Sequence, residues 1–244
     1  MFEWLVLLSV GVGAGTLGGV IGFGSTVLLM PPLVWFYGPL QTVPIIAVTA
    51  GMANLSRAAV WWREIEWRVC LAYTLGAVPA VVLGARTLVA IPQRPAEVVL
   101  GAFLIAMIPL RRWLKRRRWR VPTLMMLPVG AVIGYLTGIV ATTGAINTPF
   151  FLAHGLVKGA FLGTEALSSL GMYVAKGIAF QQLGVLTAPV LQKGLSIGLA
   201  VTLGSWLSKR LVLVLPEAAF LRLMEGVMLV SGGTLLAMAA QAAN

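Results

Sequence analysis

Eight apolar segments follow one another along the chain, at about 4–37, 41–62, 67–89, 96–110, 122–153, 160–183, 185–206 and 216–239. Roughly 20 apolar residues in a row are what an α-helix needs to cross about 30 Å of hydrocarbon. Only 10% of the 244 residues are charged, against about 25% in soluble domains. A water-soluble fold cannot cover so much apolar surface, and disorder, collagen and coiled coil lack the polarity or the repeat they require. The expectation is an all-α polytopic membrane protein, multi-pass in the inner membrane. A lone cysteine, Cys70, excludes a disulfide framework and a thiolate metal cluster, and one histidine, His154, makes no metal site. No metal and no cofactor are expected.

The charge that remains is unevenly placed. Seven of the 18 basic residues fall in the run Arg111–Arg120, RRWLKRRRWR, while the seven acids are all Glu. Apolar segments enclose this run on both sides, so it reads as a cytoplasmic loop drawn to anionic lipid headgroups rather than as a nucleic-acid site. The first apolar stretch has no basic region before it and is matched again later in the chain, so it is not read as a signal peptide. Trp35, Trp61, Trp62, Trp67, Trp113, Trp119 and Trp206 sit at segment ends, where aromatic belts belong.

Two segments, the first and the fifth, are too long for one straight helix. Both are interrupted by glycine and ended by proline: GTLGGVIGFGSTVLLMPPL from Gly15, and GYLTGIVATTGAINTPFFL from Gly134. Gly18 aligns with Gly134 and Gly22 with Gly138, with Pro32 near Pro149. Further on, Thr49…Asn54-x-x-Arg57 aligns with Ser168…Tyr173-x-x-Lys176. The chain thus divides into a first membrane repeat at 1–113, a basic linker at 111–121 and a second repeat at 122–244. If each broken segment dips in and returns, every half crosses three times and the halves are inverted. Arg63, Arg68, the basic run, Lys158, Lys209 and Arg210 then share the cytoplasmic side, leaving little more than Arg86 and Arg94 opposite, with both termini outside.

A broken helix leaves backbone N–H groups that only protein or a water-lined cavity can satisfy. The second half-helices, starting near Ser25-Thr26 and Gly144-Ala145, would aim the positive ends of their dipoles inward, and glycines such as Gly22 and Gly24 let an anion approach closely. Small residues that merely let helices pack closely are the alternative. Arg57 and Lys176 stand within apolar segments, each three residues after a polar partner, Asn54 and Tyr173. That spacing puts each pair on one helical face. An intramembrane cation is costly without a partner and marks a binding role; an isolated one near a helix end can instead snorkel. Glu165 reads either as a coupling proton carrier or as a salt-bridge partner for Lys176 or a neighbouring helix. Lys176 is about 16 Å away along the same helix, too far for a direct bond. His154 reads as interfacial, or as a proton relay. No enzyme constellation is present: no Asp, no second His, no Walker loop, no nucleophile elbow.

On the two Gly-rich blocks, on Thr49, Asn54 and Arg57, and on the Lys176 helix, the chain resembles the TauE/SafE family of membrane exporters, within the TSUP superfamily. The likeness covers nearly the whole chain as two halves. The usual run of three glycines is replaced here by Gly24-Ser25-Thr26 and Thr143-Gly144-Ala145. The resemblance implies a secondary transporter, an exporter of sulfite, thiosulfate or organosulfonates, working by alternating access around a midplane site. The resemblance places the site at the two Gly-rich turns with Asn54, Arg57 and Lys176. The full set of candidate substrate-binding residues is Gly22, Gly24, Ser25, Thr49, Asn54, Arg57, Thr143, Gly144, Asn147, Ser168, Tyr173 and Lys176, and the residue pattern adds Glu165 as a candidate for coupling. The residues themselves require only a small oxyanion, and a carboxylate would satisfy them too. An uptake carrier, an anion channel, or a scaffold whose basic loop docks a cytoplasmic partner are the rivals. The length admits a homodimer.

Overall fold

The computed structural model describes residues 2–21, 24–92, 121–139, 144–156 and 158–207, with isolated positions in 95–113 and 226–237. Gly22, Thr143, Arg94, the 208–210 loop and all of the 111–120 run except Trp113 lie outside the described residues, as does nearly all of the last apolar segment. Every element among the described residues is helical: α1 (Phe2–Ile21), α2 (Gly24–Val60), α3 (Trp67–Ala90), α4 (Met126–Ile139), α5 (Gly144–His154), α6 (Lys158–Gln182) and α7 (Ala188–Leu207). Single 3₁₀ turns precede α3 at Trp62–Glu64 and α4 at Thr123–Met125. Leu40–Val60, α3 and α7 are long and apolar enough to cross a membrane; Glu3–Gly19, Leu28–Gly38 and Thr123–Ile139 are shorter apolar helices.

Each Gly-rich block divides two helices. α1 ends at Ile21 and α2 begins at Gly24; α4 ends at Ile139 and α5 begins at Gly144. α2 is itself bent at Gly38, where φ is 71° and ψ 166°. A side chain would be strained at that left-handed φ, so the sequence needs glycine there. Pro39 follows, its fixed φ suited to the first position of the new helical piece.

Each pair of short helices folds back on itself. The Tyr37 hydroxyl donates to the Glu3 carboxylate, which returns the first piece of α2 to the start of α1. The Val121 amide donates to the Ala153 carbonyl at 3.1 Å, and His154 Nδ1 meets the Val121 carbonyl at 2.8 Å, which returns α5 to the start of α4. Lys193, near the start of α7, stands 3.7 Å from the Tyr37 ring centroid. At the far end of α2, the Glu66 amide donates to Thr164 Oγ1 at 2.9 Å. The 21 residues of Leu40–Val60, about 31 Å of helix, separate these two ends of the bundle.

Packing inverts the soluble pattern. Leu71, Leu75 and Leu83 of α3 and Leu195, Leu199 and Leu203 of α7 face outward, each exposed, while small residues face in. α3 lies along α4 and α6, and α7 along α1 and α2. A β-carbon on Gly134 would come within 2.7 Å of the Ala77 Cα, and one on Gly138 within 2.6 Å of the Ala85 nitrogen. On the other side, Gly15 meets the Val201 backbone and Gly204 the Val12 carbonyl. Without a hydrophobic drive between helices in lipid, this backbone-to-backbone approach supplies the dispersion contact that holds them together. Gly134→Leu should therefore destabilise the protein by about 3 kcal/mol or more. Gly13→Ala, at a site with nothing within 4 Å, should be neutral or mildly stabilising, up to about 1 kcal/mol. Thermal unfolding in detergent checks both.

Candidate functional site

Three charged side chains are buried among the described residues: Arg57, Glu165 and Lys176, at 8%, 2% and 0% exposure. Arg57 projects from α2 one turn before its end. Its Nη2 donates to Asn54 Oδ1, the partner three residues earlier, and to Glu165 Oε2 of α6 at 3.2 Å. Asn54 is held in turn by its own helix, donating to the Ala50 carbonyl at 2.8 Å.

Glu165 is the hub. Its Oε1 accepts from Ser169 Oγ at 2.7 Å and, at 3.5 Å, from Asn147 Nδ2 of α5. Asn147 Oδ1 accepts from the Tyr73 hydroxyl of α3 at 2.7 Å, and the Tyr73 ring packs against Phe151 at 5.1 Å between centroids, tilted by 50°. Four helices, α2, α3, α5 and α6, thus meet through one chain of polar contacts. One donor is left over. Arg57 Nη1 is buried, and no acceptor among the described residues meets it. An unsatisfied charged donor in the interior costs several kcal/mol unless something else fills its valence.

Lys176 stands elsewhere. Its ammonium donates to the Thr137 carbonyl, near the C-terminal end of α4, and lies 5.6 Å from the Phe180 ring centroid. A helix C-terminus carries partial negative charge, so a cation there is favourably placed. Arg57 is level with Glu165, and Lys176 is eleven residues further along α6, about 16 Å away by helical rise. The two cations therefore occupy different depths, rather than one shared midplane site.

The remaining sequence candidates divide between the polar cluster and the scaffold. Asn54, Arg57, Asn147 and Glu165 come together. Thr49 Oγ1 donates across to the Gly194 carbonyl of α7 at 3.1 Å, and Ser168 Oγ to the Thr164 carbonyl of its own helix at 2.7 Å. Tyr173 is buried with its β-carbon against Gly51. Gly24 and Gly144 begin α2 and α5. Ser25 and Thr26 are buried, Ser25 where a β-carbon on Gly18 would meet it at 2.8 Å. Gly18, Gly134 and Gly138 serve close packing. His154 ties α5 to Val121 at one end of the bundle. Tyr73 and Ser169 were missed by the sequence reading. Ser169 had a signal, its spacing of four from Glu165 on one helical face; Tyr73 had none beyond a hydroxyl in an apolar run.

A helical bundle with outward-facing leucines, apolar helices long enough to span a bilayer and a buried ion pair is the architecture of a membrane protein. The chain belongs to the sulfite exporter TauE/SafE family, whose model matches residues 7–235, nearly its whole length. It is accordingly a membrane protein of a transporter family. No curated protein and no solved structure gives a significant match.

Removing one partner of the Arg57–Glu165 pair strands the other charge. Arg57→Met and Glu165→Leu should each cost about 3–5 kcal/mol, and the double change less than their sum. Unfolding of the four proteins in detergent closes the cycle; strictly additive costs would mean that the contact carries no coupling.

Proposed function

We propose that the protein is a secondary carrier that exports a small sulfur oxyanion, such as sulfite, thiosulfate or an organosulfonate, by alternating access. The observation that carries this reading is the buried Arg57 guanidinium, whose Nη1 has no hydrogen-bond partner among the described residues. A planar guanidinium offers paired donors matched to two oxygens of a sulfite or sulfonate group. Asn54 and Glu165 hold its Nη2, which fixes the direction in which Nη1 points. Lys176, at the other depth, is a second station for the anion as it crosses. Sulfur itself enters through the family, since the donors would accept any small oxyanion.

The two halves are proposed to be inverted repeats, each opening with a re-entrant pair of short helices. Two closures support this: α1 and the first piece of α2 meet through Glu3 and Tyr37, at one end, and α4 and α5 through Val121 and His154, at the other. Arg63 and Arg68 lie at the Val121 end, as does the chain that leaves the 111–120 run, so that end is assigned to the cytoplasm by the positive-inside rule. The basic run then rests on anionic headgroups of the inner membrane. Related by an axis in the membrane plane, Arg57 and Lys176 fall on either side of the midplane, and rocking of one half against the other would open each station to one side. No ATP-binding motif is present in the sequence, so gradients and the membrane potential supply the drive. An inside-negative potential favours outward movement of an anion by about 2.3 kcal/mol per charge per 100 mV.

Purified protein in liposomes loaded with sulfite, thiosulfate, taurine or sulfoacetate, one at a time, tests the proposal. At least one anion should leave by a saturable route, and Arg57→Ala should slow it at least about tenfold. Neutralising 111–120 should leave efflux in place. Folded protein that moves none of these anions would overturn the reading, and loss of function only on deleting the basic run would favour a docking scaffold.

A further inference from the structure

Glu165 already occupies one side of the only buried guanidinium among the described residues, and this has a consequence for what travels with the anion. We propose that an arriving anion takes the place of the Glu165 carboxylate on Arg57, and that the released carboxylate binds one proton, so that the carrier moves one proton with each anion. This rests on the transport reading above and extends it to the coupling ion.

The geometry makes the exchange a like-for-like one. Glu165 Oε2 sits 3.2 Å from Nη2, while Nη1 of the same guanidinium has no hydrogen-bond partner among the described residues. An oxyanion bound to Nη1 would lie beside Glu165 Oε2, since the two guanidinium nitrogens are bonded to one carbon. Two anionic groups sharing one cation in a buried site repel, and one of them must leave or be neutralised. Sulfonates and thiosulfate cannot shed their charge as a carboxylate can, since they stay ionised throughout the physiological range. A carboxylate left without its cation in the bilayer interior takes up a proton rather than remain a bare charge.

The surroundings of Glu165 allow this and, among the described residues, supply no competing carboxylic acid. From α2 comes Arg57; from α5 only the amide of Asn147. α3 contributes the Tyr73 hydroxyl, which donates to Asn147, and Cys70, which lies near Thr74. Along α6 itself the neighbour is Ser169, with Lys176 eleven residues away. At the 3₁₀ turn beside the start of α6, Glu64 and Glu66 have exposed side chains. In α4, Tyr135 faces Thr87 instead. Ser169 can reverse its hydroxyl, donating to the ionised carboxylate and accepting from the protonated one, so both forms of Glu165 keep a partner.

The balance is simple. On loading, the anion and one proton from water enter, the proton bonding to a Glu165 oxygen as the Arg57 contact breaks. On release the anion leaves, the proton returns to water, and Glu165 closes on Arg57 again, so the empty carrier resets without cargo. A monoanion therefore crosses without net charge, so the potential does no work on it and its own concentration gradient must drive it outward. A dianion such as thiosulfate still carries one negative charge, and the inside-negative potential continues to favour its export.

The test uses methanesulfonate and thiosulfate, neither of which titrates near neutrality. Each is added to the purified full chain in detergent, in weakly buffered solution with a pH indicator, while binding is measured in parallel by tryptophan fluorescence. Wild type should take up about one proton per bound anion, and Glu165→Gln about none. Binding to wild type without proton uptake would overturn the coupling and leave the carrier reading intact. So would uptake that persists in Glu165→Gln. Absence of binding by either anion to folded wild type would instead remove the anion site on which both readings stand. The wild-type stoichiometry decides the question even if Glu165→Gln does not fold.

Discussion

A guanidinium and a carboxylate have been brought together inside a bundle built for hydrocarbon, and most of what distinguishes this structure follows from keeping them there. Either charge alone in that setting would be costly by several kcal/mol. Held together, they join α2 to α6, positions 108 residues apart in the chain. Ser169, Asn147 and Tyr73 are recruited around the pair because a buried carboxylate has more lone pairs than one arginine can fill. The pair is therefore a structural clasp, and its one unfilled donor makes it a candidate binding site as well.

Around that clasp the helices are held by a different force. In lipid, apolar side chains gain little by turning inward, so the closest backbone contacts fall to glycine, while leucines such as Leu75 and Leu199 face outward and others such as Leu29 and Leu33 fill the interior. Gly134 and Gly138 against α3, and Gly15 and Gly204 between α1 and α7, bring backbones nearly into contact. Such interfaces are short-range and steep: they tolerate little added volume, yet they carry few directional bonds that would resist one half sliding against the other. Polar ties cross between helices at both ends, at Glu3–Tyr37 and Val121–His154, at the cluster around Arg57, and singly where Thr49 meets the Gly194 carbonyl, Lys176 the Thr137 carbonyl and Ser205 the Gly15 carbonyl.

The two stations differ in kind. Arg57 is matched by a side-chain carboxylate, whereas Lys176 donates to the carbonyl of Thr137 at the end of α4. A helix end contributes only partial charge and cannot take up a proton, while a carboxylate can. The two buried cations are thus held by chemically different partners, a side-chain carboxylate at Arg57 and a backbone carbonyl at Lys176.

Much of this was legible in the chain because it is local. Segment length and hydropathy define membrane helices, glycine marks where α1 and α2, or α4 and α5, part, and the spacing of three between Asn54 and Arg57 places both on one face whatever surrounds them. Those features depend only on helical geometry and on the solvent being hydrocarbon. The prolines do not end the segments, since Pro31 and Pro32 lie inside α2 and Pro149 inside α5. What the tertiary structure alone decided is which helices face each other and at what register. That register pairs Arg57 with Glu165, brings Tyr73 to Asn147, turns Thr49 and Ser168 to backbone carbonyls, and sets Lys176 about 16 Å deeper along α6 instead of beside Arg57. A one-dimensional pattern fixes the face on which a residue stands but not its depth relative to another helix, because depth comes from how two helices slide into contact, and here backbone approaches at glycine settle that.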